Sequence, residues 1–102
     1  MTPKNKSVPA PAQTKILLVD DHPMMREGLR QIIGNEPDLT VCGEAENAFQ
    51  ALELIKNTTP DLVLADITLP DKSGLELVKD IQALHPKMPV LVISMHDETL
   101  YA

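Results

Sequence analysis

Four oxygen-bearing residues, Asp20, Asp21, Asp66 and Ser94, stand at the carboxyl side of three short apolar runs: Ile16-Leu17-Leu18-Val19, Leu62-Val63-Leu64-Ala65 and Val90-Leu91-Val92-Ile93. If those runs are parallel strands of one sheet, all four residues gather at its carboxyl edge, where open α/β sheets bind ligands. Three carboxylates that close repel one another unless a cation offsets them, and hard oxygen donors with open positions suit Mg2+ that keeps some of its waters. Asp66 is separated by Ile67-Thr68-Leu69-Pro70 from the helix cap expected at Ser73, so capping does not account for it. Asp21 taken alone is open between a metal ligand and a helix cap, and Ser94 between a functional hydroxyl and a turn serine. His22 reads as a helix-entry residue rather than a ligand, because no second His or Cys lies at ligand spacing. His85, His96 and Cys42 read as residues without a chemical role, and Met24, Met25 and Met88 as packing residues.

Those positions depend on an alternation of strands and helices. Lys15 to Val19 is a continuous apolar run suited to a strand buried on both faces. His22-Pro23 opens a helix with proline in its first turn, and Met25, Leu29, Ile32 and Ile33 recur on a helical period before Gly34-Asn35 stops it. A second strand is expected over Leu39-Thr40-Val41-Cys42. Asn47 with Gln50 has the spacing of a capping box, ahead of a helix lined by Ala48, Ala51, Leu52 and Ile55 and closed by Pro60. The third strand ends at Asp66, and Ser73 with Glu76 caps a helix lined by Leu77, Ile81 and Leu84. Pro86 and Pro89 precede the fourth strand, Val90 to Ile93, and Asp97 is placed to cap a further helix. This is the pattern of successive βαβ units.

The bulk properties agree with one small α/β domain and exclude several classes. The chain has 102 residues, 43% of them hydrophobic, enough for a core at this length. A single cysteine, Cys42, rules out disulfide scaffolds and zinc ribbons. A net charge of −6 with scattered basic residues argues against direct nucleic-acid binding by this segment. The apolar runs fall far short of the ~20 residues needed to cross a bilayer. Residues 1–14, with Pro3, Pro9 and Pro11 among small and polar neighbours and no apolar signal-peptide core, read as a disordered leader. Residues 15–102 form the folded domain, and the expected location is the cytoplasm.

Three stretches, KILLVDDHPMMREGL, PDLVLADITLPDKSGLEL and MPVLVISMHDE, resemble the receiver domain of two-component response regulators. The DDHP and SMHDE forms are similar to the subfamily whose receivers precede a helix-turn-helix DNA-binding domain. The resemblance covers about Lys15 to Ala102 and implies a flavodoxin-like, doubly wound parallel sheet of strand order 2-1-3-4. It implies that Asp66 is the phosphoacceptor, that Asp20 and Asp21 hold Mg2+ with the backbone carbonyl of Thr68, and that Ser94 donates its hydroxyl to the phosphoryl group. The implied partner is a sensor histidine kinase.

One departure from the family pattern stands out. Family members continue into a fifth strand ending in a lysine that pairs with the phosphoryl group, then a fifth helix, whereas this sequence ends at Ala102. Lys79 and Lys87 precede the fourth strand and lie at the wrong edge to replace that lysine. Val90 to Ile93 is therefore expected to be an apolar edge strand, prone to pair with a second copy. Two further readings follow: a non-phosphorylated interaction module that titrates a kinase, and an aspartyl-phosphate hydrolase. The hydrolase would need a D-x-D nucleophile after the first strand, a spacing that Asp20-Asp21-His22 does not provide.

Overall fold

A computed structural model of the chain describes residues 13–94. Seven elements alternate: β1 (Thr14–Val19), α1 (Pro23–Gly34), β2 (Leu39–Ala45), α2 (Ala48–Thr58), β3 (Leu62–Asp66), α3 (Gly74–Leu84) and β4 (Val90–Ile93). All strand pairs are parallel, in the order β2-β1-β3-β4. The α/β class, the flavodoxin-like winding and the strand order match the sequence reading.

Side-chain alternation along the central strands sorts the core into two layers. Leu17 and Val19 of β1, with Val63 and Ala65 of β3, face α2 and α3, where they meet Ala48, Ala51, Ile55, Leu77 and Ile81. Ile16 and Leu18 face α1, where Ile33 closes a smaller cluster flanked by Leu29, Val41, Leu62 and Leu64. β1 is thus buried on both faces, as a continuous apolar run requires.

Several boundaries differ from the sequence reading, each for a physical reason. β1 begins at Thr14, whose N–H donates to the Asp38 carbonyl at 2.8 Å, and the Gln13 side chain donates to the Pro37 carbonyl at 3.1 Å. Those contacts tie residues 13 and 14 to the domain; the rest of the expected leader lies outside the described residues, as does the helix expected after Asp97. β2 runs on past Cys42 to Ala45. Its register jumps from Ile16 opposite Val41 to Leu17 opposite Gly43, so a bulge passes over Cys42 and pairing resumes through a glycine and a glutamate that look unlike a strand.

Three residues expected to pack inward do not, the first being Met24, which is 87% exposed at the start of α1. Ile32 is 65% exposed, because it sits one residue, about 100° of turn, off the stripe formed by Met25, Leu29 and Ile33. Leu84, in the last turn of α3, lies on the wall of an open cleft of about 590 Å³ at the amino edge of the sheet, with Pro60, Lys87 and Pro89.

Candidate functional site

The carboxyl edge brings together two turns, one after β1 and one after β3. The Asp20 backbone N–H still donates to the Ala45 carbonyl at 3.0 Å, which extends the sheet ladder by one residue and buries the side chain. The Asp20 carboxylate accepts the His22 N–H at 2.8 Å, closing a tight turn into α1, which starts with Pro23. Arg26, one turn into α1, donates from Nη1 to the Asp20 carbonyl at 2.6 Å and from Nε to Glu44 at 3.1 Å, so α1, β1 and β2 are clasped behind the acids.

Asp66 is the last residue of β3 and pairs in register with Ile93 of β4. Its carboxylate accepts the Thr68 N–H at 3.1 Å, Thr68 bridges back to Ser73, and the capping box of Ser73 and Glu76 starts α3. Gly74 is required here. A Cβ built on it would lie 2.8 Å from the Ile67 Cα and closer still to the Asp66 carbonyl oxygen. The Gly74 N–H donates to the Ile67 carbonyl at 2.7 Å, which locks the start of α3 onto the backbone that carries Asp66.

Asp20, Asp21 and Asp66 converge as the sequence suggests, each offering an oxygen within a group of donor atoms lying no more than 4.8 Å apart. Asp20 and Asp66 are buried and the Asp21 side chain is 35% exposed, so the group opens to solvent on one side only. Asp21 does not cap α1; His22 occupies that position. Thr68 is placed beside Asp66, and Ser94 follows Ile93 at the same edge. Lys87 lies at the opposite edge, as expected.

Sequence reasoning did not foresee the contacts of three residues. His22 belongs to the cluster: Nδ1 lies 2.9 Å from an oxygen of Asp20, 2.9 Å from one of Asp21 and 3.9 Å from one of Asp66. The Asp20 contact raises the imidazole pKa, partial desolvation opposes the rise, and the nearby charges of Asp21, Asp20 and Asp66 add to it. Asp71, in the β3–α3 turn, caps α2 from 23 residues away, accepting the Ala48 N–H at 2.9 Å and the Phe49 N–H at 3.1 Å. Partial desolvation pushes its pKa up, and the backbone N–H groups of Ala48, Phe49, Asp71 and Lys72 outweigh that and hold it below the usual carboxylate range. Arg26 is the third. No local spacing signals any of these contacts; only the first, with His22 adjacent to Asp20 and Asp21, leaves a trace in the sequence.

The response regulator receiver domain model matches residues 16–102. The chain is similar to the nitrate/nitrite response regulator NarL of Escherichia coli K12, 44% identical over 85 residues that make up 81% of this chain and 39% of that protein. It is similar to the transcriptional regulatory protein DegU of Brevibacillus brevis, 37% identical over 85% of this chain and 37% of that protein. The chain therefore spans about two-fifths of the length of these curated relatives. Among solved structures, the signal receiver domain of the putative response regulator NarL from Mycobacterium tuberculosis superposes with a TM-score of 0.79 at 34% identity, covering 88% of this chain and 73% of that one. Among the described residues, no helix is long and apolar enough to cross a membrane.

Proposed function

Since the chain belongs to the response regulator receiver domain family, a signalling module of two-component systems, we propose that Asp66 accepts a phosphoryl group from the phosphohistidine of a sensor histidine kinase. The observation that carries this is the burial of Asp66 beside Asp20, with Asp21 completing a donor group no wider than 4.8 Å. The transfer forms an oxygen–phosphorus bond at the Asp66 carboxylate and breaks the phosphorus–nitrogen bond of the donor, leaving the histidine imidazole as the departing group.

The donor set fits Mg2+, because two buried carboxylates and a half-buried third need a cation between them and supply hard oxygens. Asp20, Asp21 and Asp66 would hold it through carboxylate oxygens, and Thr68 through its backbone carbonyl. Bound there, Mg2+ supplies charge neutralisation between two anionic reactants. The chain's own residues do the positioning. β3 and Gly74 fix the Asp66 backbone, the Thr68 N–H orients the carboxylate, and the buried floor keeps water from its inner side. Ser94, at the same edge, donates its hydroxyl to the new phosphoryl oxygens and so reports the modification to the segment that follows β4. In this reading the chain is the cytoplasmic input part of a transcription regulator, and contact with DNA belongs elsewhere in such a protein.

Incubation with acetyl phosphate and Mg2+, followed by intact mass and peptide mapping, tests the assignment. One base-labile phosphoryl group is expected at Asp66 and none in Asp66→Asn. Labelling that persists in Asp66→Asn would refute it, and an unlabelled wild type that still binds the kinase would favour the non-phosphorylated interaction module.

A further inference from the structure

His22 is the N-cap residue of α1, yet its side chain makes no capping hydrogen bond. The ring turns toward the acids instead, with Nδ1 2.9 Å from oxygens of both Asp20 and Asp21. One donor atom each from Asp20, Asp21, His22 and Asp66 fits within a 4.8 Å span. Two ligands on opposite sides of an ion bound at about 2.1 Å can be at most about 4.2 Å apart. A contraction of roughly half an ångström therefore brings all four atoms onto one ion, and His22, with its side chain 49% exposed at the mouth, has room to make it.

We infer that His22 is a fourth ligand of the divalent-cation site, and that its single nitrogen makes the site favour borderline transition ions such as Zn2+ over Mg2+. This rests on the metal site proposed above and concerns which ions that site holds tightly. Carboxylate oxygens alone suit Mg2+, whereas an imidazole nitrogen among them adds affinity for ions later in the first transition row and little for magnesium. Metal binding exchanges the contact between Nδ1 and the carboxylates for a metal–nitrogen bond, and any Nδ1 proton passes to solvent. The remaining positions stay open on the exposed side.

Isothermal titration of the full chain with ZnCl2 and separately with MgCl2 tests the inference, in a background carrying His85→Ala, His96→Ala and Cys42→Ser to silence other soft donors. One Zn2+ site is expected, and His22→Ala should weaken Zn2+ binding about tenfold or more while changing Mg2+ binding less than about threefold. Circular dichroism checks the fold of the variant. As a measurement on the unsubstituted imidazole, the His22 ring-proton resonance should shift with one equivalent of Zn2+ and not with one of Mg2+. Equal Zn2+ affinity with and without His22, alongside intact Mg2+ binding, would overturn the inference and leave the underlying metal site standing. Unchanged Mg2+ affinity in Asp21→Ala and Asp20→Asn would instead remove that site, and the inference with it.

Discussion

The two turns at the carboxyl edge are built by different means. The β3–α3 turn, which carries Asp66, is fixed by close backbone packing at Gly74, by the Thr68–Ser73 bridge and by Asp71 reaching across to α2. The β1–α1 turn, which carries Asp20 and Asp21, is held by polar contacts of His22 and Arg26, and the side chains of Asp21 and His22 are partly open to solvent. A carboxylate that must form a covalent bond in line with its donor gains from a rigid backbone, since misplacement by an ångström is costly. Carboxylates that only coordinate a cation can be held by charges, which the cation itself then reorganises.

The largest effect should come from breaking the packed turn. Gly74→Val places a branched side chain against the Ile67 and Asp66 backbone, where no flexible group can yield. A loss of about 3 kcal/mol in urea denaturation is expected, with loss of phosphoryl acceptance at Asp66. Wild-type stability in this variant would show that the turn moves freely.

Removing the clasp of the other turn should cost less. Arg26→Ala leaves the Asp20 carbonyl without its charged donor and Glu44 with Arg30 alone, and a loss of about 2 kcal/mol is expected. Because Arg26 holds the metal-binding turn and not the Asp66 turn, Mg2+ affinity should fall while the hydrogen-exchange protection of β3 is kept. Equal loss of protection in β1 and β3 would mean that the two turns are one mechanical unit.

The legibility of these features in the sequence follows their range. Apolar runs ending in Asp20, Asp66 and Ser94 announce strands and an acidic edge, because strand burial and the parallel winding act through local patterning. The Ser73–Glu76 box is equally local and formed in full. Asn47 caps Gln50 at 2.8 Å, but the Gln50 side chain accepts from the Glu46 N–H rather than from Asn47, so that box is only half formed. The bulge at Cys42, the role of Asp71 and the clasp of Arg26 onto Glu44 depend on partners 18 to 26 residues distant in sequence, which no local pattern encodes. His22 is the helix-entry residue that its place before Pro23 suggests, but its side-chain contacts with the carboxylates beside it follow no His or Cys ligand spacing.

A smaller effect with a pH signature should come from Asp71. Asp71→Ala removes the cap on α2 and should cost about 1 kcal/mol at neutral pH. Because the folded state holds this carboxyl below its ordinary value, its contribution is complete above about pH 4 and fades as pH falls through the lowered value. The stability difference between wild type and Asp71→Ala should therefore narrow below pH 4, measured by thermal unfolding at constant ionic strength. A difference that stays constant into that range would mean that the carboxylate charge plays no part in tying the turn to α2.

The smallest change in stability, and a different readout, is expected at β4, where the edge carries neither turn's reinforcement. Among the described residues β4 pairs with β3 alone, and Leu91, opposite Leu64 on the face that α1 covers, is 54% exposed. α1 covers Leu18 and Ile16 on that face, so an apolar side chain beyond them meets water or another molecule. Unpaired N–H and C=O groups along an apolar edge invite a strand of a second copy, and a lysine there is a common way of preventing it. Leu91→Lys should shift sedimentation velocity profiles toward monomer at high protein concentration while altering unfolding by no more than about 0.5 kcal/mol. Ile32→Lys, somewhat more exposed and on α1 rather than on a strand edge, serves as the control. If both substitutions reduced association equally, general surface hydrophobicity would explain it; if neither did, the edge would have no part in assembly, and the contrast between the reinforced turns and β4 would concern local order alone.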